Sequence, residues 1–165
     1  MNSESASRES AGISIELRPL DNENFLEVLL LRVKEQQRRF IADNFKSFAQ
    51  AHFDPDAWLR AIYCDNTPVG LVLLTIEKEE YETLQCLGQP YLWRLMIAEA
   101  YQRKGIGKAT MQQVIEEVSK WPEAKDLYLS VVEENKSARK FYLELGFQDL
   151  NLVLEGERVM KFSLH

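Results

Sequence analysis

The 165 residues suit a single domain, at ~100–200 residues per domain. With 45% apolar, 28% charged and 10% aromatic residues, the composition excludes a disordered, collagen-like or coiled-coil chain. The 20 basic and 26 acidic side chains leave a net charge of −6, which argues against nucleic acid as the main partner and suits a cationic small molecule.

Residues 1–12 (MNSESASRESAG) contain no apolar stretch of the signal-peptide kind and are expected to form a disordered tail. Residues 13–165 follow as one domain without internal repeat or linker. Ile13, Ile15 and Leu17 alternate with other residues at the period of a half-buried strand, which Pro19 stops. Asp21 or Asn22 then caps a helix carrying Phe25, Val28, Leu29 and Val33. One or two short helices through Phe40, Phe45, Phe48 and Phe53 end at Pro55. Residues 58–63 and 69–76 read as strands joined by the Asp65-Asn66-Thr67-Pro68 turn into a hairpin. The acidic run EKEEYE at 77–82 is either a solvated tip or a rim that attracts cations.

Residues 91–97 (YLWRLMI) form a buried strand. The helix predicted over 105–120 sets Met111, Val114, Ile115 and Val118 on one face. A strand at 127–132 precedes a helix at 135–145, closed by Gly146 at a position that tolerates a left-handed backbone. Residues 147–154 and 157–164 pair around Glu155-Gly156. This order makes a mixed α/β layered domain.

Cys64 and Cys86 stand 22 positions apart in no CxxC or Cys/His cluster, and read as a pair of buried thiols of a cytoplasmic protein. His52 and His165 are the only histidines, so no metal site is expected. No apolar run approaches the ~20 residues that span a bilayer, so no membrane partner is expected.

The most informative stretch is Gln102-Arg103-Lys104-Gly105-Ile106-Gly107-Lys108, between a strand and a helix. A helix start leaves its first amides unpaired and carries the positive end of the dipole. Glycines there let the backbone approach an anion, and Arg103, Lys104 and Lys108 add charge. The other reading is a tight turn eased by glycine, with the basic residues solvated. A P-loop is excluded because Gly107-Lys108 is followed by Ala109; a GxGxxG dinucleotide fingerprint is excluded because position 110 is Thr.

Gln-x-x-Gly-x-Gly after an apolar strand resembles the signature of the GNAT superfamily of acyl-CoA N-acyltransferases. Its second motif is matched by Asn135, Ala138, Phe141-Tyr142 and Gly146-Phe147. Within the superfamily the chain resembles the bacterial spermine/spermidine acetyltransferases. That likeness rests on Glu35-Gln36 with Phe40, residues 47–51 (SFAQA), Ala61-Ile62-Tyr63, Pro68-Val69-Gly70 and residues 156–160 (GERVM). The resemblance implies a single GNAT-like α/β domain with a mostly antiparallel twisted sheet of about seven strands and helices on both faces. It also implies acetyl-CoA as co-substrate, a small-molecule amine as partner and the homodimer common among such proteins.

Acetyl transfer from a thioester to an amine needs a neutral amine, yet a pKa of ~10.4 leaves only about one molecule in 2,500 free at pH 7. The carbonyl oxygen gains charge and needs fixed donors, and the thiolate leaves more readily if an acid protonates it. The resemblance assigns that acid to Tyr142, whose helical position alone would equally suit the core. Residues 102–108 would cradle the coenzyme phosphates; Asn135, also a good N-cap, and Ala138 would contact the coenzyme. Leu95, Met96 and Ile97 would pair with the pantetheine arm through their backbone.

The base is open among Glu35, Glu80, Glu82, Glu133, Glu134 and a water chain; Glu35 and Glu82 are the candidates for holding a polyamine. The expected reaction is direct transfer to a polyamine such as spermidine. The alternatives are a protein N-terminal or lysine acetyltransferase, an aminoglycoside acetyltransferase, and a non-catalytic acyl-CoA-binding module.

Overall fold

The computed structural model describes residues 12–165; the expected tail, 1–12, lies outside the described residues except for Gly12. One sheet of seven strands has the order β1-β2-β3-β4-β5-β7-β6. Its members are β1 (Ile15–Arg18), β2 (Trp58–Cys64), β3 (Thr67–Ile76), β4 (Pro90–Ile97), β5 (Asp126–Val132), β6 (Gln148–Leu154) and β7 (Glu157–Ser163). Every neighbouring pair is antiparallel except β4 and β5. The α-helices are α1 (Phe25–Leu30), α2 (Asn44–Phe53), α3 (Ile106–Val118) and α4 (Lys136–Glu144). The mixed, mostly antiparallel sheet expected from the sequence is the one observed.

Side-chain alternation distributes the helices. Ile62, Val72, Leu92, Leu129 and Met160 point to one face, where Met111, Val114 and Val118 of α3 and Tyr142 of α4 complete the main core. Ala61, Tyr63 and Leu71 point to the other face and bury Val28 and Leu29 of α1. A third cluster, Leu84, Cys86, Tyr128 and Val159, lies under the β3–β4 connection. Leu71, Val72, Leu73 and Leu74 are fully buried, each worth about 1.5–3 kcal/mol of burial, so β3 anchors both layers.

Local chemistry explains the connections. Asp65 and Asn66 adopt φ of 49° and 63°, the paired left-handed residues of a tight hairpin turn between β2 and β3. Glu155 and Gly156, at 51° and 82°, do the same between β6 and β7. The first helix is shorter than its apolar spacing predicts and leaves Val33 outside. Arg32 accounts for the stop, donating from Nη1 to the carbonyls of Leu29 and Leu31 at 2.9 and 3.1 Å. Asp21, rather than Asn22, organises the approach to α1, its Oδ1 accepting from the Glu23 and Asn24 amides at 2.8 and 3.0 Å. The N-cap position itself is Asn24.

Two bulges shape the centre of the sheet. Ile62 pairs with Gly70 and Tyr63 with Pro68, which leaves Val69 unopposed on β3. Gly70 is there pressed so close to β4 that an added Cβ would lie 2.1 Å from the Met96 carbonyl oxygen, so only glycine fits. Leu73 pairs with Arg94 and Leu74 with Leu92, which leaves Trp93 unopposed on β4. Just before that second bulge, β4 and β5 pair at only two rungs, Tyr91 with Tyr128 and Leu92 with Leu129. Beyond them β4 continues along β3 to Ile97 while β5 continues along β7 to Val132. The result is a wedge-shaped gap in the sheet.

Candidate active site

The gap exposes one edge of β4. Met96 faces away from it: its carbonyl lies against Gly70 on β3, and its sulfur accepts a 3.7 Å contact from Asn44 Nδ2 on α2. By strand alternation the backbone groups of Leu95 and Ile97 face the gap. Their side chains pack against the main core on the α3 side. Of the three residues expected to act through their backbone, two therefore point the required way.

Gln102 has a use that the sequence does not disclose. Its Nε2 donates to the Ile97 carbonyl at 2.8 Å and to Gln37 Oε1 at 2.7 Å. It ties the glycine loop to the end of β4 and to the segment between α1 and α2. Arg103 and Gly105 take left-handed conformations, φ 59° and 81°, and turn the chain directly into α3. Gly105 is the N-cap, and no side chain caps the helix. The amides of Ile106, Gly107 and Lys108 thus precede the first intrahelical bond, which Ala109 makes to the Gly105 carbonyl at 3.1 Å.

Arg103, Lys104 and Lys108 stand exposed around this head, and Ile106 is buried beneath it. A Cβ at Gly107 would sit 3.4 Å from the Phe141 ring, an ordinary contact. Internal packing therefore leaves room for a Cβ at 107.

α4 lies beside this head and begins differently. Asn135 caps it, its Oδ1 accepting from the Ala138 amide at 3.2 Å. Tyr142 is buried, at 8% exposure, with its ring edge-on to Phe141 and Phe147 at 5.1 and 5.4 Å. Burial alone pushes its hydroxyl well above the usual phenol range, so it holds its proton at all physiological pH. Gly146, at φ 99°, ends the helix and leads to Phe147. On the outer side, Arg139 Nη2 and Nε reach Asp149 Oδ2 at 2.7 and 2.8 Å, while Arg158 Nη1 reaches Asp149 Oδ1 at 3.3 Å. Asp149 thereby pins α4 to the β6–β7 hairpin.

The two acidic substrate candidates are not brought together. Glu35 lies in a 3₁₀ turn (Glu35–Gln37) near the C-terminal end of β4, exposed and paired with Arg38 at 2.9 Å. Glu82 is exposed in the connection that enters the N-terminal end of β4. The eight-residue strand between those ends is about 23 Å long. A cavity of about 260 Å³ does open between the α1–α2 segment and Met96, but its charged lining is Arg32, Arg38 and Asp43.

The polar group at the apex of the gap was missed by sequence reasoning. Tyr91 donates to Ser130 Oγ at 2.7 Å, and Ser130 Oγ donates to Glu157 Oε2. The three residues come from β4, β5 and β7 and share no motif; only the register joins them. Arg94 lies on the same strand face as Tyr91, donating to the Trp93 carbonyl at 2.7 Å and to Gln50 Oε1 at 3.3 Å. Its Nε is buried without a partner, and burial pushes its pKa down.

The splayed strands, the uncapped glycine head of α3 and the buried phenol on α4 define a coenzyme A-type acyltransferase fold. The profile of the acetyltransferase (GNAT) family matches residues 16–147, and the chain belongs to that family. It is an N-acetyltransferase that uses acetyl-CoA as co-substrate. A curated relative, the spermine/spermidine N(1)-acetyltransferase of Bacillus subtilis (strain 168), is 28% identical over 152 residues, covering 90% of this chain and 97% of the relative. Among solved structures, the spermidine N-acetyltransferase of Vibrio cholerae in complex with CoA and spermine has a TM-score of 0.67 at 16% identity, covering 91% of this chain and 95% of that one. The ribosomal-protein-S18-alanine N-acetyltransferase of Escherichia coli has a TM-score of 0.66 at 16% identity, covering 92% and 94%.

Proposed function

We propose that the protein transfers the acetyl group of acetyl-CoA directly to a primary amine of a small polycation of the spermidine/spermine kind. The observation that carries the transfer is the parting of β4 from β5 next to the uncapped head of α3. The acceptor rests on the 28% identical relative and on the net charge of −6.

Each residue then has a task. The amides of 106–108, with Arg103, Lys104 and Lys108, hold the coenzyme diphosphate. Gln102 fixes that loop to β4. Leu95 and Ile97 offer backbone groups to the pantetheine arm in the manner of an added strand, and an N–H in this segment polarises the acetyl carbonyl. Asn135 keeps its amide nitrogen for the coenzyme while its oxygen caps α4 at Ala138. Bound acetyl-CoA supplies the acetyl group as a thioester. Tyr142 keeps its proton until the sulfur departs and then donates it from the hydroxyl. Glu35 and Glu82, at opposite ends of β4, cannot share one ammonium, so at most one of them holds the acceptor beside the reacting centre. The setting is cytoplasmic, which agrees with Cys64 and Cys86 both being free thiols; Cys86 is buried as expected, whereas Cys64, at the end of β2, is only half-buried. Among the described residues no helix is long and apolar enough to cross a membrane.

A second reading, acetylation of a protein N-terminus, draws support from Arg32 and Arg38 in the cavity, which suit peptide carbonyls and carboxylates better than a polycation. A thiol-release assay with acetyl-CoA and a panel of polyamines, N-terminal peptides and aminoglycosides decides between them. Turnover with spermidine or spermine is expected. Turnover with peptides alone would replace the acceptor, and silence across the panel would leave a coenzyme-binding module.

A further inference from the structure

Deprotonation of the acceptor is the step for which the coenzyme-binding elements offer no group. Tyr91 is the first paired rung of β4 with β5, and Ser130 follows directly after the last one, Leu129. Both side chains lie at the apex of the gap, on the face opposite α3. Their hydrogen bonds run one way: Tyr91 gives its proton to Ser130 Oγ, and Ser130 gives its own to the Glu157 carboxylate. Each lone pair used along the chain is thus supplied with a proton from the apex side. Among the described residues no hydrogen bond is donated to the Tyr91 oxygen, which leaves it free to accept one. At the far end, Glu157 is exposed and in contact with water.

We propose that Tyr91, Ser130 and Glu157 form a proton relay that carries the acceptor ammonium's proton out of the gap. The inference rests on the amine-acetylating reading above. In the step, an N–H bond of the ammonium breaks and its electron pair stays on nitrogen. The proton joins the Tyr91 oxygen as the Tyr91 proton passes to Ser130 and the Ser130 proton to Glu157. The resulting carboxylic acid returns the proton to solvent, so nothing is oxidised and no further reactant is consumed.

Four groups besides Ser130 bear on Tyr91. Glu157 on β7, with Glu77 and Cys86 on the β3–β4 connection, disfavours a phenolate, while Arg94 on β4 lies near enough to feel both Tyr91 and Glu157. Burial is the largest influence, and together they push the Tyr91 hydroxyl up to about 12. Tyr91 therefore passes protons without resting as an anion. The half-buried guanidinium of Arg94, on the same strand face as Tyr91, has a complementary effect: its positive charge lowers the pKa of an amine brought near it.

The test compares Tyr91→Phe and Glu157→Gln with the intact protein, using whichever amine of the panel supports turnover. Tyr91→Phe keeps the buried ring, and Glu157 is exposed, so both variants are expected to fold; melting curves check this. Near pH 7, kcat/KM is expected to fall about 100-fold for Tyr91→Phe and about 10-fold for Glu157→Gln, within the range of acid–base effects. Both losses are expected to shrink to within a few-fold as the pH approaches the amine's own pKa, where the neutral acceptor needs no relay. Acetyl-CoA affinity by calorimetry is expected to stay unchanged. Wild-type-like turnover in Tyr91→Phe, or a loss equal at every pH, overturns the relay while the acetyltransferase reading stands. Failure of the intact protein to acetylate any amine overturns both.

Discussion

Two helices meet the candidate coenzyme site, and their N-termini are built on opposite plans. α4 is closed by its own sequence, since Asn135 spends its oxygen on the Ala138 amide. α3 starts on Gly105 with no side-chain cap, its first amides left to an external partner and ringed by Arg103, Lys104 and Lys108. An unfilled helix head is tolerated at an exposed loop because water can satisfy it, but it also makes that head the one available to a diphosphate. On the proposed reading, this difference gives α3 the anion and α4 the task of holding Tyr142 in place.

The largest effect that would break this contrast is expected at Gly107. Gly107→Val adds bulk at the exposed head of α3, where a Cβ meets only ordinary contacts but a bound anion would be displaced. Acetyl-CoA affinity is predicted to fall about 1,000-fold, equal to about 4 kcal/mol, by calorimetry. Next comes Tyr142→Phe, predicted to cut kcat about 100-fold while leaving coenzyme affinity nearly unchanged in single-turnover and binding measurements. The ring contacts with Phe141 and Phe147 survive the change, so a loss of turnover would reflect the hydroxyl.

Asp149 sharpens the picture of α4 as a pinned element. Burial raises its pKa, but the Asn151 amide, Arg139 and Arg158 outweigh it and hold the carboxyl below its ordinary value. The stabilisation is therefore present above the unfolded value of ~3.9 and lost as pH falls through the folded one. Asp149→Asn is predicted to cost about 1.5–3 kcal/mol near neutral pH, and to flatten the acid limb of the stability curve in denaturant titrations. The smallest effect is expected for Asn135→Ala. Losing the cap costs about 1 kcal/mol, or about 2–4 °C in Tm by calorimetric melting, with only a few-fold change in acetyl-CoA affinity.

Much of the fold was legible because the strands carry clear signals. The alternation of Ile15 and Leu17, the Asp65-Asn66 turn and the Glu155-Gly156 turn all mark local geometry that tertiary packing respects. The glycine loop was equally legible, since Gly105 and Gly107 flank a strand-to-helix turn with basic neighbours. What escaped is what depends on register. Val69 and Trp93 bulge only because of how β2, β3 and β4 align, and no residue type announces either bulge. Met96 looks the same as Leu95 in sequence, yet alternation turns its backbone to β3. Glu35 and Glu82 seemed a natural acidic pair until the length of β4 separated them. Tyr91, Ser130 and Glu157 are scattered over 66 positions of sequence and meet only through strand order. The first helix ended early because Arg32 satisfies its last carbonyls, a side-chain event that apolar periodicity cannot register.

Amide hydrogen exchange with and without acetyl-CoA tests the contrast between the two helix heads most directly. Strong protection is predicted at the amides of residues 106–108 and at Leu95 and Ile97, with little change at Met96, which β3 already holds, or at Ala138, whose amide Asn135 already holds. Protection confined to the start of α4, or none at the start of α3, would contradict the assignment.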